Sequence, residues 1–158
     1  MKTMDRKIVV LGDSGVGKTA IVQRYVRGTF TDEYKPTTGA MPLKKSIEHD
    51  GKVVRLVIWD VAGHLLNLHP AYSSDADGAI LVCDLTRQPS LELLNRWREI
   101  IENKAGPIPF VIAASKSDLA EMPVCHGLEK TDYTVIPTSA RTGKNIDRLF
   151  LELIAKLA

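Results

Sequence analysis

One run of eight residues constrains the fold of this 158-residue chain more than any other feature. It matches the pattern G-x-x-x-x-G-K-T and consists of Gly12, Asp13, Ser14, Gly15, Val16, Gly17, Lys18 and Thr19. An apolar run over residues 7–11 precedes it and predicts a buried strand, and residues 19–27 have the composition of a helix. Glycines let backbone N–H groups turn towards an anion, Lys18 supplies a positive charge, and the Thr19 hydroxyl is a ligand for magnesium. The run therefore predicts a loop that binds the phosphates of a nucleoside triphosphate.

The rest of the chain predicts a hairpin followed by further strands. Extended runs over residues 43–48 and 53–59 flank the sequence His-Asp-Gly-Lys, whose glycine is typical of a hairpin turn. Pro42 predicts an edge position for the first run, because proline cannot donate a hydrogen bond to a neighbouring strand. Apolar runs predict three more strands, over residues 79–84, 110–114 and 133–137.

Helical spacing predicts two further helices. The first is expected to begin after Ser90 and to end at Gly106-Pro107, and its apolar face consists of Leu91, Leu94, Trp97 and Ile101. The last helix spans residues 146–157, with Thr142 as a candidate cap. Apolar strands that alternate with helices favour a parallel sheet covered on both faces. We expect a single domain over residues 1–158 with a three-layer α/β fold: a six-stranded, mostly parallel sheet with one antiparallel edge strand and helices on both faces.

The composition excludes several classes of protein. Apolar residues make up 44% and charged residues 25%, the balance of a globular domain. A net charge of +2 gives no reason to expect nucleic acid or an anionic membrane as the main partner. Two cysteines without metal-type spacing, and a start without a secretory signal, favour a cytoplasmic location. No apolar stretch is long enough to cross a bilayer, and the last residues lack a lipidation cysteine, so membrane contact would require an additional tail.

Three further loops resemble those of the Ras superfamily of small GTPases, and most closely its Rab-like branch. Residues 30–39 resemble switch I, which implies that Thr37 binds magnesium and senses the γ-phosphate, and that Phe30 and Tyr34 contact the nucleotide. Residues 58–63, Ile-Trp-Asp-Val-Ala-Gly, resemble the strand that ends in D-x-x-G. The resemblance implies that Asp60 holds magnesium through water and that the Gly63 N–H bonds the γ-phosphate, which makes the following loop a sensor of the nucleotide state.

Two more segments resemble the family's base-recognition elements. Residues 115–118, Ser-Lys-Ser-Asp, occupy the place of N-K-x-D. The resemblance implies that Asp118 accepts hydrogen bonds from the ring N–H and the exocyclic amine of guanine, a pair of donors that adenine lacks. It also implies that Lys116 lies along the base and braces the phosphate loop. Residues 138–141, Thr-Ser-Ala-Arg, resemble T-S-A-K, in which the Ala140 N–H donates to the guanine 6-oxo group.

Several positions depart from the family pattern. Ser115 replaces an asparagine that bonds the base and ties the two binding loops together, so we expect retained guanine preference, weaker affinity and faster release. His64 replaces a glutamine that orients the attacking water; either His64 positions that water, or the enzyme is slow unless a partner completes the site. The segment over residues 65–72 is shorter than in Rab-like chains, and its leucines form either core or a partner surface. Residues 119–132 are expected to form one trimmed helix.

The motifs and the resemblance together predict a guanine-nucleotide-binding switch with the P-loop NTPase fold. It is expected to be a small monomeric GTPase that binds GTP or GDP with Mg²⁺, hydrolyses GTP slowly, and meets an exchange factor, an activating protein and effectors through its switch loops. One alternative is a pseudo-GTPase that signals by occupancy without useful hydrolysis. Another is a P-loop kinase, which the lack of an arginine-rich lid segment disfavours.

The expected catalytic residues are Lys18, Gly63 and His64, and the expected magnesium ligands are Thr19, Thr37 and Asp60. The expected nucleotide contacts are Asp13, Ser14, Gly15, Val16, Gly17, Lys18, Thr19, Ala20, Phe30, Tyr34, Thr37, Gly63, Ser115, Lys116, Asp118, Leu119, Ser139, Ala140 and Arg141.

Overall fold

The computed structural model describes residues 2–13, 15–29, 40–61, 75–86, 91–119 and 133–157. The strands in these ranges are β1 (Lys2–Leu11), β2 (Ala40–His49), β3 (Lys52–Val61), β4 (Gly78–Asp84), β5 (Phe110–Ser115) and β6 (Val135–Pro137). The helices are α1 (Lys18–Arg27), α2 (Leu91–Ala105) and α3 (Ile146–Leu157). Among these described helices, none has both the length and the apolar character needed to span a membrane.

The six strands form one sheet in the order β2-β3-β1-β4-β5-β6. All neighbouring pairs are parallel except β2 and β3, which form the predicted antiparallel hairpin. Its turn consists of Asp50 and Gly51, with φ values of 49° and 73°, as a two-residue type I′ turn requires. Pro42 lies in β2 at the edge of the sheet, which confirms the edge position predicted from the proline.

Successive residues of the central strands alternate between two apolar cores. Ile8 and Val10 of β1 belong to the core shared with α1 and α3, whereas Val9 and Leu11 belong to the core shared with α2. Both faces of the sheet are therefore covered, and this explains why β4 is buried along its whole length. The predicted three-layer arrangement is confirmed.

The first core fixes α1, the helix that follows the phosphate loop. The rings of Tyr25 in α1 and Phe150 in α3 stack with their centroids 3.7 Å apart. Lys45 of β2 donates to the Tyr25 carbonyl at 2.7 Å and lies over the Tyr25 ring. Burial raises the pKa of the Tyr25 hydroxyl to about 12, so this side chain stays neutral.

Some predicted boundaries were wrong. β1 begins at Lys2 rather than residue 7, because its polar first half pairs with β3 through the backbone. Thr142 does not cap α3: its hydroxyl accepts a hydrogen bond from the Lys144 N–H at 3.2 Å, inside the preceding loop. The end of α2 is confirmed, since the Gly106 N–H donates to the Glu102 carbonyl at 2.9 Å. Ser90, Leu65, Leu66 and Leu68 lie outside the described residues, and so do residues 120–132 of the segment expected to form a trimmed helix.

Candidate nucleotide-binding site

The carboxyl ends of the parallel strands lie side by side at one edge of the sheet. In open α/β sheets this edge is where ligands bind. β1 leads into the phosphate loop, and the next residue after β6 is Thr138. Asp60, Asp84 and Ser115 lie at the ends of β3, β4 and β5. The topology therefore brings the predicted phosphate, magnesium and base motifs to one place.

The phosphate loop leaves β1 in close contact with β4. A Cβ atom added to Gly12 would lie 2.6 Å from the Val82 carbonyl oxygen, so only glycine allows this approach. Gly17 precedes α1 with φ 107°, a left-handed conformation that other residues rarely adopt. α1 thus starts directly from the loop, with its first N–H groups and its positive end directed at the site.

Side chains hold three backbone carbonyl groups of this loop. The Asp13 carbonyl accepts from Lys18 Nζ at 2.9 Å, the Gly15 carbonyl accepts from Lys116 Nζ at 3.0 Å, and the Val16 carbonyl accepts from the Ser115 hydroxyl. The carbonyl and the N–H of a trans peptide point in opposite directions. Because the Val16 carbonyl points to Ser115, the N–H of Gly17 in the same peptide group faces away from Ser115. This arrangement leaves backbone N–H groups to face an anion, as the glycine pattern predicts.

Lys18 is buried where the phosphates are expected. Only 5% of the residue is exposed, and burial lowers the pKa of its ammonium, while Asp60 and Asp13 offset part of this effect. A cation in such a position interacts with an anionic ligand in a medium of low dielectric constant. The placement supports the predicted contact with the outer phosphates.

Thr19 and Asp60 come together between α1 and β3. The Thr19 hydroxyl donates a hydrogen bond to Oδ2 of Asp60. The other oxygen, Oδ1, is buried and has no hydrogen-bond partner among the described residues. Burial raises the pKa of the Asp60 carboxyl, and the Thr19 hydrogen bond and the Lys18 charge oppose that rise. Hydroxyl and carboxylate oxygens are the ligands that Mg²⁺ prefers, so these two residues fit the ion.

Ser115 ties residues 115–118, the base loop, to residues 12–19, the phosphate loop. Its hydroxyl lies within hydrogen-bond distance of the Val16 carbonyl and of the Cys83 carbonyl, the latter at 2.9 Å. A hydroxyl has one proton, so it shares this proton between the two acceptors. Ser115 therefore keeps the loop-binding role of the asparagine that it replaces, but with a single donor.

Lys116 makes the second link between the loops. Its Nζ donates to the Gly15 carbonyl at 3.0 Å and to Oδ2 of Asp84 at 2.8 Å. The predicted bracing of the phosphate loop is present in this geometry. The backbone of Lys116 has φ 62°, a left-handed conformation that costs free energy for a residue with a side chain.

The end of β5 and the loop after β6 orient Asp118. The Ser139 hydroxyl donates to Oδ1 of Asp118 at 2.8 Å and accepts from the Thr142 N–H at 3.1 Å. Ser139 is buried, whereas Asp118 is exposed and the next residue, Leu119, is 62% exposed. A carboxylate held in place suits hydrogen bonds from the edge of a base. The exposed apolar side chain of Leu119 suits packing against the face of that base. Ala140 is half-buried in the same loop.

The remaining predicted residues divide into two groups. Ala20, in the first turn of α1, is half-buried, and Arg141 is exposed in the loop before α3. Six predicted site residues lie outside the described part of the chain: Ser14, Phe30, Tyr34, Thr37, Gly63 and His64.

Two residues of the site were missed by sequence reasoning. Asp84 closes an apolar strand, as Asp60 does, and could have been found from this feature. Trp97 of α2 donates its indole N–H to Oδ1 of Asp13 in the phosphate loop at 3.2 Å. Its helical spacing predicts only that it is buried, since the sequence does not say which polar atom meets the indole.

Comparison with known proteins gives a consistent result. A family model described as "Ras family" matches residues 7–158. The chain is 36% identical to Ras-related protein RABG3c of Arabidopsis thaliana, over 96% of this chain and 81% of that protein. It is also 36% identical to the Ypt/Rab-type GTPase ypt7 of Schizosaccharomyces pombe, with the same coverage of both chains. The identity to Ras-related protein Rab-22A of Mus musculus is 31%, over 99% of this chain and 86% of that protein.

Proposed function

The chain belongs to the Ras family, and from this premise we propose that it binds GTP and GDP with magnesium and hydrolyses GTP slowly. As a Rab-like member of the family it is a small GTPase and a guanine-nucleotide switch. One observation supports the proposed nucleotide site most directly: the Lys116 ammonium of the base loop donates to the Gly15 carbonyl of the phosphate loop at 3.0 Å. The two loops therefore form one site, which fits a ligand with a base at one end and phosphates at the other.

Guanine is selected by Asp118. Its carboxylate, held by the Ser139 hydroxyl at 2.8 Å, accepts the ring N–H and the exocyclic amine of guanine. Adenine cannot supply this pair of donors, and a site built for them rejects a base that leaves its acceptors unpaired. The Ala140 N–H donates to the 6-oxo group.

Thr19 and Asp60 hold magnesium, together with Thr37 of the switch I segment. The buried Oδ1 of Asp60, without a hydrogen-bond partner among the described residues, supports this assignment. When bound, the ion neutralises negative charge on the outer phosphates. Lys18 binds those phosphates from the other side, and the loop N–H groups and the start of α1 add positive potential.

Hydrolysis proceeds by in-line attack of water on the γ-phosphorus. The new P–O bond forms as the bond to the β–γ bridging oxygen breaks, and the bond electrons leave with GDP. This chain's residues position the reactants and stabilise the charge on the phosphate oxygens. We expect unaided turnover at or below the scale measured for Ras itself, on the order of 10⁻⁴ s⁻¹.

The switch loops report the nucleotide to protein partners. Thr37 and the Gly63 N–H bind the γ-phosphate and lose this contact after hydrolysis, so the two contacts distinguish GTP from GDP. Regulators and effectors are general to this family. We expect them to act on a monomer.

The bound nucleotide tests the proposal. Protein purified with magnesium present is denatured, and the released ligand is identified by chromatography. We expect GDP or GTP in near-equimolar amount. ADP, or no nucleotide, would contradict the guanine site.

Single-turnover hydrolysis of GTP tests the enzymatic step and the role of His64. We expect slow release of phosphate by the wild type. A slower His64→Ala variant would assign water positioning to the histidine, and an unchanged rate would exclude it. Phosphate release no faster than from GTP in buffer would contradict hydrolysis itself.

A further inference from the structure

We propose that Asp84 is a positioning residue whose carboxylate holds Lys116 against the phosphate loop and thereby slows nucleotide release. The inference rests on the guanine-nucleotide binding proposed above, and it concerns a residue outside the nucleotide-contacting motifs. Asp84 ends β4, the strand between the phosphate loop and the base loop.

The Asp84 carboxylate is fixed at both of its oxygens. Oδ1 accepts from the Thr86 N–H at 2.8 Å and from the Thr86 hydroxyl at 2.6 Å, and Oδ2 accepts from Lys116 Nζ at 2.8 Å. The side chain is 1% exposed. Burial alone would raise the pKa of this carboxyl, but the Lys116 and Thr86 hydrogen bonds outweigh it and lower the pKa. Asp84 is therefore a rigid, charged anchor.

Lys116 needs such an anchor. Its backbone φ of 62° is unfavourable for a lysine and persists only where the surroundings enforce it. The backbone is held on one side by the Leu119 N–H, which donates to the Lys116 carbonyl at 3.0 Å. The side chain is held between Asp84 and the Gly15 carbonyl. When the charge at Asp84 is removed, the Gly15 carbonyl is the remaining one of these two strong acceptors for the Lys116 ammonium.

The end of β4 thus joins two consecutive residues of the base loop to two consecutive residues of the phosphate loop. The Ser115 hydroxyl lies between the carbonyl groups of Cys83 and Val16. The Lys116 ammonium lies between the Asp84 carboxylate and the Gly15 carbonyl. Because Ser115 has a single proton, the Asp84–Lys116 pair carries more of this connection. Asp118, the residue proposed to select the base, is held by the Ser139 hydroxyl. Asp84 acts through Lys116 and the phosphate loop, so its effect should not depend on the identity of the base.

Dissociation rates of GDP and of inosine diphosphate, which lacks the exocyclic amine, test the proposal on the full chain with magnesium. We expect Asp84→Asn to release both nucleotides about tenfold faster while the ratio of the two rates stays at its wild-type value. Lys116→Met should accelerate release as well. The double variant should be no faster than the faster single variant, because Lys116→Met already removes the contact that Asp84→Asn weakens.

The matched control is Asp5→Asn, which removes an exposed carboxylate paired with Arg55 at 2.6 Å and should leave both rates unchanged. The proposal is overturned if Asp84→Asn releases GDP at the wild-type rate, or if the two single effects multiply in the double variant. If Asp84→Asn does not fold, Thr86→Val provides the test: it should accelerate release in the wild type and have no effect in Lys116→Met. Absence of guanine nucleotide from the wild type would instead contradict the proposed function.

Discussion

The Ser115 hydroxyl has one proton and two carbonyl acceptors within hydrogen-bond distance, and this limits how strongly the base loop is held. An asparagine amide has two donors, so Ser115→Asn should release GDP about 5- to 10-fold more slowly, as one additional net hydrogen bond implies. Stopped-flow dissociation of a fluorescent GDP analogue measures this change. Ser115→Ala removes the donor and should release GDP faster than the wild type. Equal GDP release rates for wild type and Ser115→Asn would show that the serine does not weaken nucleotide binding relative to asparagine.

Asp60 presents a buried oxygen that lacks a hydrogen-bond partner among the described residues. If this oxygen serves the metal site, chelation of magnesium should accelerate GDP release from the wild type by about tenfold or more, which corresponds to about 1.4 kcal/mol. Asp60→Asn should release GDP fast and at the same rate with magnesium or with chelator. A variant whose release still slows on addition of magnesium would remove Asp60 from the ligand set.

At the scale of elements, α2 is joined to the phosphate loop by the Trp97 indole, which donates to Asp13 at 3.2 Å. Trp97→Phe keeps an aromatic ring in the core but removes this donor. We expect a loss of about 1 kcal/mol in the free energy of unfolding and GDP release about 2- to 5-fold faster. Chemical denaturation and nucleotide dissociation measure the two effects.

The control for this prediction lies at the same helix. The Tyr133 hydroxyl donates to Asn95 of α2 at 3.0 Å, away from the phosphate loop. Tyr133→Phe should therefore cost stability without changing GDP release. Release that accelerates equally in both variants would mean that the position of α2 as a whole matters, rather than the bond to Asp13.

Elements marked by an apolar or turn pattern could be predicted from the sequence, whereas boundaries held by backbone bonds or by polar tertiary contacts could not. β4 and β5 are apolar up to their last residues, and Leu94, Trp97 and Ile101 mark one face of α2, so the apolar pattern identifies all three elements. The first half of β1 is polar and pairs with β3 through backbone hydrogen bonds, which leave no trace in the side chains. The bounds of α3 follow from its apolar spacing, but the contact that precedes it could not be predicted: the Asn145 amide donates to the Pro137 carbonyl at 2.8 Å, whereas the predicted cap, Thr142, bonds inside the loop.

The same distinction holds for the site. The phosphate loop around Lys18 could be recognised because its residue types and spacing follow from the chemistry of phosphate binding. The motifs around Asp60 and Asp118 could be recognised through their resemblance to those of the Ras superfamily. The contacts that connect those motifs are tertiary. The Lys116–Asp84 pair joins β4 to the base loop, and its partners are 32 residues apart in the chain. Such pairs become visible only when the strand order is known.

For the whole molecule, the nucleotide is expected to act as a stabilising crosslink. In the proposed binding mode the phosphates would contact the loop after β1 and the base the loops after β5 and β6, so one ligand would connect both halves of the sheet. At about 100 times its dissociation constant, GDP with magnesium should add about 2.7 kcal/mol to stability. For a chain of this size the melting temperature should rise by about 5–10 °C, measured by calorimetry on nucleotide-free protein. ADP at the same concentration should produce no comparable shift, because Asp118 would be left without its two donors. An equal shift with ADP would mean that the phosphate loop alone supplies the binding energy and that the base loop does not select guanine.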